Sequence, residues 1–212
     1  MADLDILNYA LTLEYLESNM YKQAVGSGKL SGRALQLAQE FGGHEQTHAD
    51  TLASVITKLG GTPVRPRASY NFPAFTDQAA ILSFISKIED TGVGAYLGQV
   101  ANIQSGDLLG AAAGIYAVEA LHAASIRTLV GNDANPNGAV EKPLDMNTVL
   151  AAAGPLLGPA AGAAQVPSGM PTTGAGGTSG QGLSPLAVAA GAAALVTAGV
   201  VAARGRKADE GQ

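Results

Sequence analysis

Six side chains in the first 122 residues have the types and spacing of a metal centre: Glu14, Glu45, His48, Glu89, Glu119 and His122. Their order is Glu, Glu-x-x-His, Glu, Glu-x-x-His, in the local words EQTH and EALH. On a helix, residues at i and i+3 project from one face, so each Glu–His pair can grip one site. Four carboxylates balance two divalent cations, and the imidazoles add one neutral nitrogen per ion. Burying four carboxylates without cations would force protonation or cost many kcal/mol. Oxygen-rich sites with some imidazole suit iron or manganese, whereas thiolates suit zinc or copper(I). With no cysteine in the chain, disulfides, Cys-ligated zinc and iron–sulfur clusters are excluded.

The separations repeat. Glu14 and Glu45 are 31 residues apart, Glu89 and Glu119 are 30 apart, and Tyr21 and Tyr96 each follow the first glutamate of their half by seven. Two copies of one helix–helix unit explain this pattern. The two tyrosines are read as core residues, with hydrogen bonding to the ligands or redox activity of the phenols as the alternative. Glu17, Glu40 and Asp90 are read as solvated groups or as outer partners of the ligands, and His44 as an outer partner or a surface residue.

The elements that must carry these residues are helices. Residues 3–25 form the first, with Leu4, Leu7, Leu11, Glu14, Tyr21 and Val25 on one stripe. Residues 31–59 form the second, with Ser31 as N-cap, Gly60-Gly61 as stop and Gly42-Gly43 as a point of loosening or kinking. A proline-bearing connection, 62–75, leads to a third helix capped by Thr76 or Asp77 and running to about residue 104. A fourth follows the turn Ser105-Gly106-Asp107 and ends near Leu129; a short fifth covers roughly 145–153. The expected fold class is all-α: an up-down four-helix bundle with one long crossover.

The local wording LNYALTLEYLE, HEQTHADTL, IEDTGVGAYLG and VEALHAASIR resembles the bacterial ferritin-like domain family that includes desiccation-related proteins. The resemblance spans about residues 4–157, including PLDMNTVLAA. It implies a ferritin-like bundle with a dinuclear iron or manganese carboxylate site, the six residues above as ligands, and Glu45 and Glu119 bridging the metals. It implies a reaction only loosely. Two function classes follow: an oxidoreductase acting on oxygen or hydrogen peroxide (ferroxidase or catalase-like), or a metal-sequestering, stress-protective module without turnover. A third class is weaker. His44-Glu45-Gln46-Thr47-His48 matches the HExxH signature of zinc proteases but leaves Glu14, Glu89, Glu119 and His122 unexplained.

Composition divides the chain into a metal-binding bundle (1–157), an uncharged Gly/Pro/Ala-rich linker (158–184), an apolar segment (185–203) and a polar tail (204–212). The apolar segment is long enough for a single membrane span, which makes a lipid bilayer an expected partner. Arg204, Arg206 and Lys207 would hold the tail in the cytoplasm and put the bundle outside, yet the acidic start of the chain shows no cleavable signal, so the side of the membrane stays open. The net charge of −5, with no basic run in the bundle, gives no reason to expect nucleic acid. A homo-oligomer is compatible with the pattern.

Overall fold

A computed structural model describes residues 2–159. The apolar segment 185–203, the tail and all but the start of the linker lie outside the described residues. Five α-helices account for the fold: α1 (Asp3–Gly26), α2 (Gly32–Lys58), α3 (Gln78–Gln99), α4 (Gly106–Leu129) and α5 (Met146–Ala153), with short 3-10 turns at Val100–Asn102 and Gly154–Leu156. Among the described residues there is no strand, only one isolated bridge between Tyr70 and Leu157.

The helices pair as two hairpins. α1 packs along α2 and α3 along α4, α1 also meets α3, and α5 lies on α3. Asp77, Ser105 and Asp145 each accept a backbone N–H three residues on, which satisfies an orphan donor at the start of α3, α4 and α5. Ser31 precedes α2 as expected but does not cap it; its N–H and hydroxyl bond instead to Gln78 Oε1, at 2.9 and 3.2 Å, linking the starts of α2 and α3. Asp3 works across hairpins too, accepting the N–H groups of Gln104 (2.9 Å) and Ser105 (3.1 Å) at the α3–α4 turn.

α2 runs unbroken through Gly42-Gly43. Gly42 serves packing rather than kinking: a Cβ there would lie 2.9 Å from Tyr21 Cβ, so its absence lets α1 and α2 close together beside Tyr21, whereas a Cβ at Gly43 would meet nothing. α3 uses glycine in the same way. A Cβ at Gly94 would meet the Leu144 side chain at 2.5 Å, and one at Gly98 would meet the Leu144 carbonyl oxygen at 2.0 Å. The segment before α5 therefore lies directly on the α3 backbone, where Leu144 N–H donates to the Gly94 carbonyl (2.9 Å). The crossover between hairpins is held by Asn71 N–H on the Leu156 carbonyl (2.8 Å) and by the stacked rings of Tyr70, Phe72 and Phe75.

The buried apolar residues fall into two clusters. Along α2, those up to Phe41 belong to one and those from Ala49 onward to the other; along α4, Leu108 and Ile115 belong to the second and Ile126 to the first. Glu45 and His48, and Glu119 and His122, occupy the gap on each helix. α4 is long and apolar enough to cross a membrane by length and composition, with a mean hydropathy of 1.3, although it carries three of the polar residues buried in the bundle, Glu119, His122 and Arg127.

Gly98→Ala should destabilise the fold by about 1–3 kcal/mol, because the Leu144 backbone must lift off α3 to admit a methyl group. Chemical denaturation of the variant beside Gly110→Ala, where a Cβ meets nothing, isolates the packing effect from helix propensity.

Candidate metal centre

Each helix of the two hairpins brings a glutamate to one point. Glu14, Glu45, Glu89 and Glu119 are all fully buried, and His122 is 1 % exposed. His48 is the one member that reaches the surface, with a side chain 11 % exposed. The donor atoms divide into two groups, in each of which all atoms lie within 4.8 Å of one another: Glu14, Glu45, His48 and Glu119, and Glu45, Glu89, Glu119 and His122. Glu45 and Glu119 belong to both.

In the first group, His48 Nδ1 lies 3.0 Å from Glu119 Oε1, 3.2 Å from Glu45 Oε2 and 3.3 Å from Glu14 Oε2. Only the Glu45 approach has hydrogen-bond geometry. In the second, His122 Nδ1 lies 2.8 Å from Glu45 Oε1 and 3.7 Å from Glu89 Oε2, without a hydrogen bond to either. Glu45 thus turns one oxygen to each group. Glu14 Oε2, Glu45 Oε1, Glu89 Oε2, both oxygens of Glu119 and His122 Nδ1 are buried with no hydrogen-bond partner. A folded protein rarely leaves one such atom unpaired. Six converging in one place is the arrangement of donors that share a cation, and the cluster fits a dinuclear metal-binding site.

Beside Glu45 Oε2, which His48 holds, the remaining oxygens are held by phenols. Tyr21 of α1 donates to Glu89 Oε1 of α3, and Tyr96 of α3 donates to Glu14 Oε1 of α1. Both tyrosines are buried, so they are core residues and hydrogen-bond donors at once. His122 is set by Phe41, which stacks on its ring at a centroid distance of 4.0 Å, and by His44, whose Nδ1 lies 2.9 Å from His122 Nε2. His44 is half-buried against that second imidazole.

Glu17 and Asp90, both read as solvated groups or outer partners of the ligands, take different places. Glu17, expected to be solvated or an outer partner, is 2 % exposed and its Oε2 has no hydrogen-bond partner. It sits three residues after Glu14 and so shares its face, a spacing that could have drawn attention to it. Asp90 lies away from the cluster and pairs with Arg127 of α4 at 2.7 Å, while Arg127 also donates to the Ala134 carbonyl (3.0 Å). Glu40 is exposed, as expected.

Burial pushes the carboxyls of Glu45, Glu89 and Glu17 well above the usual range, and their mutual repulsion adds to it. Glu119 is raised to about 7, again chiefly by burial. Burial alone would lower His48; the carboxylates of Glu119, Glu14 and Glu45 outweigh it and push the imidazole up to about 12. His122 goes the other way, to about 3, through burial and then the neighbouring His44 and His48.

Residues 2–132 match the family model described as a ferritin-like domain. Among solved structures, a conserved hypothetical protein from Mycobacterium tuberculosis has a similar fold, with a TM-score of 0.56 at 18 % identity over 60 % of this chain and 91 % of that one. No curated protein matches the chain.

Without metal, a carboxyl with a raised pKa binds more protons folded than unfolded, so its contribution to stability is full at low pH and lost as pH rises through the folded pKa. Glu17, Glu45, Glu89 and Glu119 all act in this direction, joined by His48 above its unfolded pKa; His122 and His44, lowered on folding, oppose them below theirs. The four carboxyls outnumber the two imidazoles. Thermal melts of the chelator-stripped protein should therefore show a falling midpoint between about pH 5 and pH 7.

Proposed function

The chain belongs to the ferritin-like domain family, and from there we propose that the buried cluster holds two iron or manganese ions and reacts with dioxygen or hydrogen peroxide. The observation that carries this reading is the pair of donor groups sharing Glu45 and Glu119, each rich in buried oxygen atoms that lack any other partner. Glu14, Glu45, His48 and Glu119 would hold one ion. Glu45, Glu89, Glu119 and His122 would hold the other, with Glu45 and Glu119 bridging. Oxygen donors with one imidazole per ion favour iron or manganese.

Two adjacent ions that each change oxidation state by one supply a two-electron couple, which suits ferroxidase or catalase-like chemistry. The chain's own residues frame it. Tyr21 and Tyr96 fix one oxygen of Glu89 and of Glu14, leaving the other free to bind. The two helical clusters above and below exclude bulk water. Burial of every glutamate, with only the edge of His48 exposed, favours a diatomic or a peroxide over an extended substrate.

A zinc protease would need His44 and His48 on one ion with an open approach. Here His44 faces His122 and His48 faces three carboxylates, an arrangement that favours the dinuclear reading. On the same footing, residues 1–157 form the working domain, 158–184 a linker, and 185–203 a membrane tether followed by a polar tail.

Elemental analysis of the protein purified without added metal should give about two iron or manganese atoms per chain, and Glu45→Ala or Glu119→Ala should lose most of both, since each serves both groups. Unchanged metal content in the two variants would overturn the site. Metal-dependent turnover of peroxide or oxygen by the loaded protein is expected; a loaded but inert protein would favour metal sequestration instead.

A further inference from the structure

The internal repeat pairs Glu14 with Glu89 and Tyr21 with Tyr96, and the structure respects it, since each tyrosine bonds the glutamate of the opposite half. One step of the repeat breaks. Three residues after Glu14 stands Glu17; three residues after Glu89 stands Gly92. These two positions meet in space. A Cβ built on Gly92 would lie 2.6 Å from Glu17 Oε1 and 3.4 Å from Glu119 Oε2. The carboxyl of Glu17 therefore fills the room that the missing side chain of Gly92 leaves, beside a carboxylate that belongs to both donor groups.

Glu17 has no structural employment that would explain this placement. It is 2 % exposed, and its Oε2 has no hydrogen-bond partner. A glutamate in that condition is expensive unless a cation is near. Its position is also specific, because any residue larger than glycine at 92 would push it out.

We propose that Glu17 is a fifth carboxylate of the metal centre, which makes its two metal positions unequal and raises its preference for a trivalent over a divalent ion. Four carboxylates match two divalent ions. A fifth matches one divalent and one trivalent ion, and the attraction of an added negative charge scales with the charge of the ion it faces. Charge count among ligands is a general means by which protein sites set ion affinity. The inference rests on the dinuclear reading above.

Zn(II) and Ga(III) test it, because both have a filled d shell, neither changes oxidation state, and they differ by one charge. The full-length protein, stripped of metal, is titrated with each ion against a competing chelator, and bound metal is measured by elemental analysis. Glu17→Gln keeps shape and removes the charge; Gly92→Ala keeps the charge and displaces it. Both should lower Ga(III) affinity by about tenfold or more relative to Zn(II), with Zn(II) stoichiometry retained. An unchanged ratio in Glu17→Gln, or an equal loss of both ions, overturns the proposal. A wild-type chain that takes up neither ion, nor iron or manganese, overturns the dinuclear centre itself, and the role of Glu17 with it; that failure is seen in the parent and not in the variants.

Discussion

The bundle is organised around a cost. Five carboxyl groups lie together in its interior, drawn from all four long helices, and no lysine or arginine reaches them among the described residues. Left alone, they must take up protons or repel one another. The pKa directions record that conflict: Glu45 and Glu89 are driven up by burial, His48 is driven up by the carboxylates, and His122 is driven down. A protein of this size has only a few kcal/mol of net stability to set against such a cluster. The apolar layers on either side must hold the helices in place before any ion compensates the charge.

Those layers explain why the site sits where it does. Each of α2 and α4 changes allegiance midway, from one apolar cluster to the other, and places its Glu-x-x-His at the change. Reciprocal phenols tie α1 to α3 across the centre, and Phe41 clamps the ring of His122. The glycines of α3 do the complementary work of subtraction: Gly94 and Gly98 let a loop lie on the helix, and Gly92 makes room for a side chain. A helix with so many glycines is weak by propensity, and its stability comes from what packs into the gaps.

Much of this was legible in the sequence. Period and punctuation placed all five helices, and the repeated Glu…Glu-x-x-His spacing picked out six side chains that the fold brings together. What escaped were partnerships, because a partner depends on which faces meet and not on the period of either. Asp90 looked like any solvated acid until Arg127 was seen opposite it. Gly42 looked like a kink, yet it marks a close approach to Tyr21. Ser31 had the type and place of a cap, but Gln78, 47 residues on, took its hydroxyl. The burial of Glu17 depends on Gly92 of another helix, whose missing side chain leaves it room.

The mismatch of Glu17 and Gly92 also marks what a single chain can do that a pair of identical hairpins cannot. Two identical hairpins, paired as separate molecules, would carry the same residue at both positions: two glutamates competing for one space, or two glycines and an empty one. Within one polypeptide the halves are free to differ, so that one holds an acid where the other has no side chain. One chain can thus give its centre a left and a right, a distinction no symmetric pair of identical subunits could encode.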